Sequence, residues 1–321
     1  MVSEPIDEFS FLPEQAADAG IAAQIPPAER LELALADGRT LSAVRYGEAP
    51  PVLTFLHGAG LNAHTWDTTI LALGMPALAI DLPGHGDSSW RADFAYTGRV
   101  LAPDVVAALE AWTDAPQILV GHSLGGLTAA AVAASRPDLV RQLVILDITP
   151  GVNPNAGPAQ IRDFFAGPVD WSSRDELVDR AMAFGLGGTR RAAERGVYFN
   201  SRVRADGRVE WKHHFAHLAA APADRPASPD AASGAAASAQ PATSDAVSAV
   251  LSATGWDDLA EVRAPIALLR GDHGYVTDQD AAEFAERVPA ASLTVLPSGH
   301  NLQEEVPVGL AEHLRTIAGK G

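Results

Sequence analysis

The chain has 321 residues with 23 basic and 40 acidic side chains, a formal net charge of −17, a field that repels polyanions and anionic membranes and excludes an ordinary nucleic-acid binder. It contains no cysteine, which removes disulfide scaffolds, thiol nucleophiles and thiolate metal sites together. The apolar fraction of 47% is that of a globular protein, and the acidic start "MVSEPIDEFSFLPEQ" lacks a signal-peptide pattern, so a soluble, cytoplasmic protein is expected.

Residues 1–28 are polar and proline-containing and read as an arm lying over a domain. The segments "RLELALA" (30–36) and "TLSAVRY" (40–46) flank Asp37-Gly38, a pair that readily takes positive φ in a tight turn, and so predict a β-hairpin. Apolar runs and helical stretches then alternate: strand 52–56, helix about 64–73, strand 77–81, helix about 99–112, strand 117–121, helix about 124–135, strand 142–147. Short strands that are apolar on both faces and separated by helices predict a parallel sheet covered on both sides. The rhythm stops over 150–250, where helical fragments such as "DELVDRAMAFGLG" and a turn at "RADGRV" (204–209) stand out. Ala, Ser, Pro and Asp dominate 219–248, a composition that buries little and suits a mobile stretch. Strand 265–270, helix 278–287, strand 292–296 and helix 303–318 resume the pattern. The expected organisation is one α/β domain built from 29–149 and 255–321, with a mainly helical cap inserted at 150–254.

The sharpest local signal is "ILVGHSLGG" (118–126), a G-x-S-x-G segment centred on Ser123 between a predicted strand and a predicted helix. Gly121 and Gly125 remove the side chains that would block a sharp strand-to-helix turn, leaving the hydroxyl raised at the sheet's carboxyl edge. A serine needs a base to take its proton. His300, in "LTVLPSGHNLQEE", follows the last predicted strand on the same edge, and its near-neutral intrinsic pKa suits that work.

These segments, with "FLHGAG" (55–60), "DLPGHGDSS" (81–89), "GHSLGG" (121–126) and "SGHN" (298–301), resemble the α/β-hydrolase family over most of the chain outside the cap. The resemblance implies a nucleophile at Ser123, a base at His300 and an oxyanion hole from the amides of Ala59 and Leu124. For the triad acid it leaves alternatives. Many members place it three residues past a glycine after the penultimate strand; counting from Gly271 reaches Gly274, with Asp272 two residues early. A subgroup of esterases and lactonases places it after the strand following the elbow helix, where Asp147 stands with an Asp-x-x-Pro turn. Asp147 is preferred, with Asp272 the alternative and Asp278 a more distant one. His57, Gly58 and His122 flank these groups and are candidates for substrate contact, although packing is the commoner role of such histidines. His85 and Asp87 read as a turn held by side-chain hydrogen bonds. Trp66 suits either the cleft or the core, and Phe164, Phe165, Met182, Phe184, Trp211 and Phe215 are candidate walls contributed by the cap.

Three rivals are weaker. "GAGLNA" (58–63) with Asp81 outlines a dinucleotide fingerprint, but a hairpin precedes it and the "PGHGDS" turn has no task there. "KHHFAHL" (212–218) could stack His213 and His217 as metal ligands, but no third ligand is evident. A non-catalytic ligand-binding relative would have little use for both Ser123 and His300. A serine at the elbow, where an aspartate would form an alkyl-enzyme ester, points to acyl transfer. The sequence therefore reads as a serine hydrolase without cofactor or metal, acting on a small to medium apolar ester or lactone through an acyl-enzyme. Amide or carbon–carbon bond hydrolysis and perhydrolase-like chemistry on the same triad are the alternatives, and the oligomeric state stays open.

Overall fold

Apolar residues alternate so regularly along the central strands that neighbours in sequence belong to opposite cores. The computed structural model describes residues 6–22, 24–153, 164, 168–185, 188–220 and 255–319, with the side chains of 218–220 left out. Its main sheet contains β1 (Ala28–Ala34), β2 (Thr40–Tyr46), β3 (Leu53–Leu56), β4 (Ala77–Asp81), β5 (Gln117–His122), β6 (Val140–Leu146), β10 (Ile266–Gly271) and β11 (Ser292–Leu296). Their spatial order is β1-β2-β4-β3-β5-β6-β10-β11. The β1–β2 hairpin turns at Gly38 (φ 84°) and is antiparallel, as is β2 against β4; every other pairing is parallel.

Leu56, Leu78, Ile80, Leu119, Leu143, Ile145 and Leu268 face one core, which α3 (Gly98–Trp112) and α4 (Leu124–Ser135) cover. Phe55, Ala79, Ile118, Val120, Val144, Leu146 and Leu269 face the other, beneath α1 (Leu12–Asp18), α2 (Asp67–Leu73) and the C-terminal helix Pro307–Ala318. Burial of each large aliphatic side chain is worth about 1.5–3 kcal/mol, so two covered faces explain strands of only four to seven residues. Small residues bring the covering helices close: a Cβ on Gly98 would stand 2.7 Å from the carbonyl carbon of Leu127.

Several expectations change in detail. The helix expected from about 64 opens as a separate 3-10 turn, Ala63–Trp66, before α2. That expected over 303–318 is divided into Leu302–Glu305 and Pro307–Ala318, because Pro307 disfavours helical backbone at Val306 (φ −134°, ψ 49°). Within the expected arm, α1 buries Leu12 and Ala16 in the second core.

Among the described residues the insertion is mainly helical, with Phe215–Ala220 its last described helix, but it also carries a small sheet that the sequence did not suggest. Helices Arg174–Ala183 and Arg190–Asn200 accompany a second antiparallel sheet of β7 (Asp170–Trp171), β9 (Val209–Trp211) and β8 (Ser201–Val203). Strands of two and three residues carry no readable period, which is why only their turn, closed by Gly207 (φ 82°), was visible in the sequence. Leu177, Val178, Ala193, Val197 and Trp211 form a small core of its own. Phe165 and most of the Ala/Ser/Pro-rich stretch, 221–248, lie outside the described residues. No described helix is long and apolar enough to cross a membrane.

Candidate active site

Ser123 follows β5 at φ 52°, ψ −119°, a conformation that only a constrained L-residue keeps. The constraint is close backbone approach. A Cβ on Gly121 would lie 2.2 Å from the carbonyl oxygen of Gly125, and one on Gly125 would lie 2.2 Å from that of Leu56. The Ser123 amide donates to the Leu146 carbonyl (3.1 Å), and its carbonyl accepts from Gly126 (2.8 Å), so the turn is clamped on both sides. The side chain stands half-buried above the sheet edge, and Leu124 begins α4, whose first amides carry the positive end of the helix dipole. The loop after β3 passes directly over this turn: a Cβ on Gly58 would be 3.2 Å from the Ser123 Cβ. That brings the half-buried Ala59 beside the elbow.

Asp147 follows β6, fully buried and at φ 47°. Its Oδ1 accepts from the Gly271 amide (3.1 Å); its Oδ2 accepts from the Tyr275 amide (2.6 Å) and from His300 Nδ1 (2.8 Å). A buried carboxylate without partners would be costly, and these three donors supply what water would have given. Because the carboxylate accepts at Nδ1, the Nδ1 proton is assigned and the Nε2 lone pair is left for a reacting proton. Asp272 is exposed, pairs with neighbouring His273, and makes no hydrogen bond to His300. Asp278 pairs with Arg270. Of the candidate acids, the structure brings Asp147 alone to the imidazole.

The His300 loop is fastened by Glu305, which accepts from the amides of Gly299 (2.7 Å) and Asn301 (3.3 Å). His122 Nε2 donates to the His300 carbonyl (2.9 Å), the rings lying 4.4 Å apart, so the residue before the serine touches the candidate base. Burial first, and His300 second, hold the His122 pKa well below its ordinary value, so it stays neutral. Among the described residues no hydrogen bond joins the Ser123 hydroxyl to His300; such contacts tighten when substrate binds.

Other expectations are corrected. His57 is fully buried, donating from Nδ1 to the Gly58 carbonyl (2.8 Å) and accepting at Nε2 from the Leu82 amide (2.9 Å). Burial depresses its pKa to about 4. Both nitrogens are thus used to bridge two loops, and none is left for substrate. Trp66 is also fully buried, packing on Phe55 at 4.9 Å in the second core rather than in a cleft. Met182 is exposed, while Phe164, Phe184 and Trp211 pack within the insertion's own core. Phe215 reaches the main domain, lying against His85 and Tyr96.

The "PGHGDS" turn is structural. Asp81 is buried, accepts from the amides of Ala63 (2.7 Å) and Asp87 (3.1 Å) and pairs with Arg30 (2.9 Å), so it is turned into the protein rather than towards a ribose, which counts against the dinucleotide reading. His213 is buried on Trp211, and no group of three or more metal-ligating side chains forms among the described residues.

The residues that sequence reasoning missed are Tyr275, whose ring stacks on His300, and the Asn62–Asn200 pair. Asn62 Nδ2 donates to Asn200 Oδ1 (2.7 Å), tying the loop after β3 to the insertion. Neither carries a local signal, since each depends on segments meeting from distant parts of the chain.

A family model described as "Alpha/beta hydrolase family" matches residues 55–313. The esterase Rv0045c of Mycobacterium tuberculosis is 35% identical over 320 residues, covering 97% of this chain and 96% of its own. A crystal structure of that esterase superposes with a TM-score of 0.76 at 33% identity, over 98% of each chain. The structure of E-2-(acetamidomethylene)succinate hydrolase superposes with a TM-score of 0.73 at 20% identity, covering 91% of this chain and 100% of the other, a likeness of fold. The chain belongs to the alpha/beta hydrolase family.

Proposed function

We propose that the protein is a serine hydrolase cleaving small to medium apolar carboxylic esters or lactones through an acyl-enzyme. The observation that carries this reading is the 2.8 Å contact between His300 Nδ1 and the buried Asp147 carboxylate, on the sheet edge that also carries the strained Ser123 turn. The similarity to a mycobacterial protein named as an esterase supports the ester class.

In this mechanism Ser123 attacks the carbonyl carbon while His300 Nε2 takes its proton. Asp147 keeps the imidazole in the required tautomer and stabilises its cation. The amides of Leu124 and Ala59 receive the tetrahedral oxyanion; losing one such donor typically costs about 3 kcal/mol. His300 returns the proton to the leaving oxygen, and water activated by the same base releases the acid. The insertion would act as the cap over the acyl or alcohol portion.

Wild-type protein is expected to be labelled by a fluorophosphonate probe and to hydrolyse p-nitrophenyl acetate or butyrate, with Ser123→Ala losing both. A panel of ester chain lengths, lactones and amides then ranks the substrate classes. Unchanged labelling or turnover in Ser123→Ala would remove Ser123 from the chemistry, and faster amide than ester cleavage would replace the ester assignment.

A further inference from the structure

The His300 side chain is gripped by more than its carboxylate partner. The Tyr275 ring lies over the imidazole with centroids 3.6 Å apart and planes tilted by 12°. The backbone already has its own task at this position, because the Tyr275 amide donates to Asp147 Oδ2. Any residue could provide that amide, so the ring is a separate contribution. On the basis of the hydrolytic reading above, we propose that Tyr275 is a positioning residue: its ring face fixes the plane of the His300 imidazole and favours the cation formed when the serine proton arrives.

One hydrogen bond at Nδ1 leaves an imidazole free to rock about that bond, and the side chain's terminal torsion is intrinsically broad. A parallel ring at stacking distance removes that freedom, and small misplacements of a reacting group are costly in rate. The aromatic face also carries the negative part of the ring quadrupole, which attracts a cation more than a neutral imidazole. Tyr275 itself stays neutral, its pKa raised to about 12 by burial and by Asp147. The other groups around His300 do not substitute for it. His122 stays neutral, Glu305 binds the loop amides, and Asp272 and His273 satisfy each other on the exposed side. Asp147 is the charged partner of the imidazole, and Tyr275 supplies the stacking face.

The test compares Tyr275→Leu, which keeps the amide and much of the bulk, with Tyr275→Phe, which keeps the face. Tyr275→Met serves as a second ring-free variant should leucine prevent folding, checked by circular dichroism. Two readouts are taken: kcat and KM on p-nitrophenyl butyrate, and the His300 titration midpoint from NMR of histidine-labelled protein, assigned through His300→Gln. A ring-free variant is expected to lower kcat about 3- to 30-fold with KM little changed, and to lower the His300 midpoint, since a contact favouring the cation has gone. Tyr275→Phe should restore both. A wild-type midpoint in the ring-free variant, or an equal loss in Tyr275→Phe, overturns the inference. The midpoint needs no turnover, so a wild-type protein inactive on every ester would defeat the proposed function while the effect of Tyr275 on His300 is still decided by NMR.

Discussion

Gly274 and Asp147 occupy the same corner of the site: a Cβ on Gly274 would stand 2.3 Å from Asp147 Oδ1. The loop after β10 can wrap the carboxylate only because residue 274 has no side chain. An acid contributed from β6 fills the space, and the loop from β10 yields to it.

Asp147→Asn should therefore reduce kcat on an activated ester by about four orders of magnitude, the usual cost of losing the carboxylate that orients the base. Asp272→Asn, altering an exposed side chain paired with His273, should leave kcat within about threefold, as expected away from buried partners. Steady-state kinetics on both variants decide the matter, and the reverse ordering transfers the role to Asp272.

Gly274→Ala tests the same corner from the other side. The added methyl has no room beside the carboxylate, so either the loop or Asp147 must move, and the His300 contact is disturbed in both cases. A loss of about 100-fold or more in kcat is expected, since a displacement of order 1 Å near the chemistry has that effect. Activity close to wild type would mean that the loop relaxes freely and that the fit is not functional.

What the chain disclosed in advance follows from the range of each interaction. The Ser123 turn is written within five residues, because Gly121 and Gly125 are forced by backbone approaches inside that segment and beside Leu56. The sheet was equally visible, since strands such as β5 bury both faces and therefore read as apolar runs. Asp147 was preferred over Asp272 only through the family resemblance and its Asp-x-x-Pro turn; the residues by themselves left the choice open, because it depends on Gly274 making way for a carboxylate far earlier in the chain. Trp66 suited cleft and core equally until its ring was seen against Phe55.

The link between insertion and core predicts an effect at a distance. Asn62 lies just beyond Gly58 and Ala59, and its amide holds Asn200 at the end of an insertion helix. Asn200→Ala removes one partner of this half-buried bond, a loss of about 1 kcal/mol, and should lower kcat/KM about fivefold by loosening the loop proposed to carry the Ala59 donor. Asn62 also caps the turn Ala63–Trp66, so Asn200 is the cleaner position to change. An unaltered kcat/KM with a lowered melting temperature would make the tie purely structural.

The N-terminal segment is held by charge, which predicts a pH dependence of stability. Burial opposes ionisation of Glu8, but hydrogen bonds from His64 and Arg30 prevail and lower its pKa to about 2. Burial likewise opposes the His64 cation, and Asp67 and Glu8 outweigh it, raising its pKa to about 9. The raised histidine stabilises the fold fully below its ordinary 6.5, and that contribution fades as pH rises through about 9. The lowered carboxylate contributes fully above its ordinary 4.5 and loses its effect as pH falls through about 2. Glu8→Gln should thus cost about 1–3 kcal/mol near pH 6 and make the decline between pH 6.5 and 9 shallower, with Asp67 retaining part of it. Denaturant melts at several pH values measure both, and parallel curves for the two proteins would sever the link between Glu8 and His64.

Ser123 supplies the last prediction, because its backbone conflicts with its own side chain. At φ 52°, ψ −119° the residue sits where glycine is comfortable and serine is strained, and strain of this kind is worth about 1–3 kcal/mol. The flanking clamps, Gly126 to the Ser123 carbonyl and Ser123 to the Leu146 carbonyl, need only the main chain and survive substitution. Ser123→Gly should therefore abolish ester turnover while raising the unfolding free energy, although glycine's larger unfolded-state entropy returns some of the gain. Ser123→Ala, equally inactive, keeps the Cβ and should show little of that gain. Measured melts of the three proteins would separate the cases: a glycine variant no more stable than the alanine one would mean that the turn holds no stored strain.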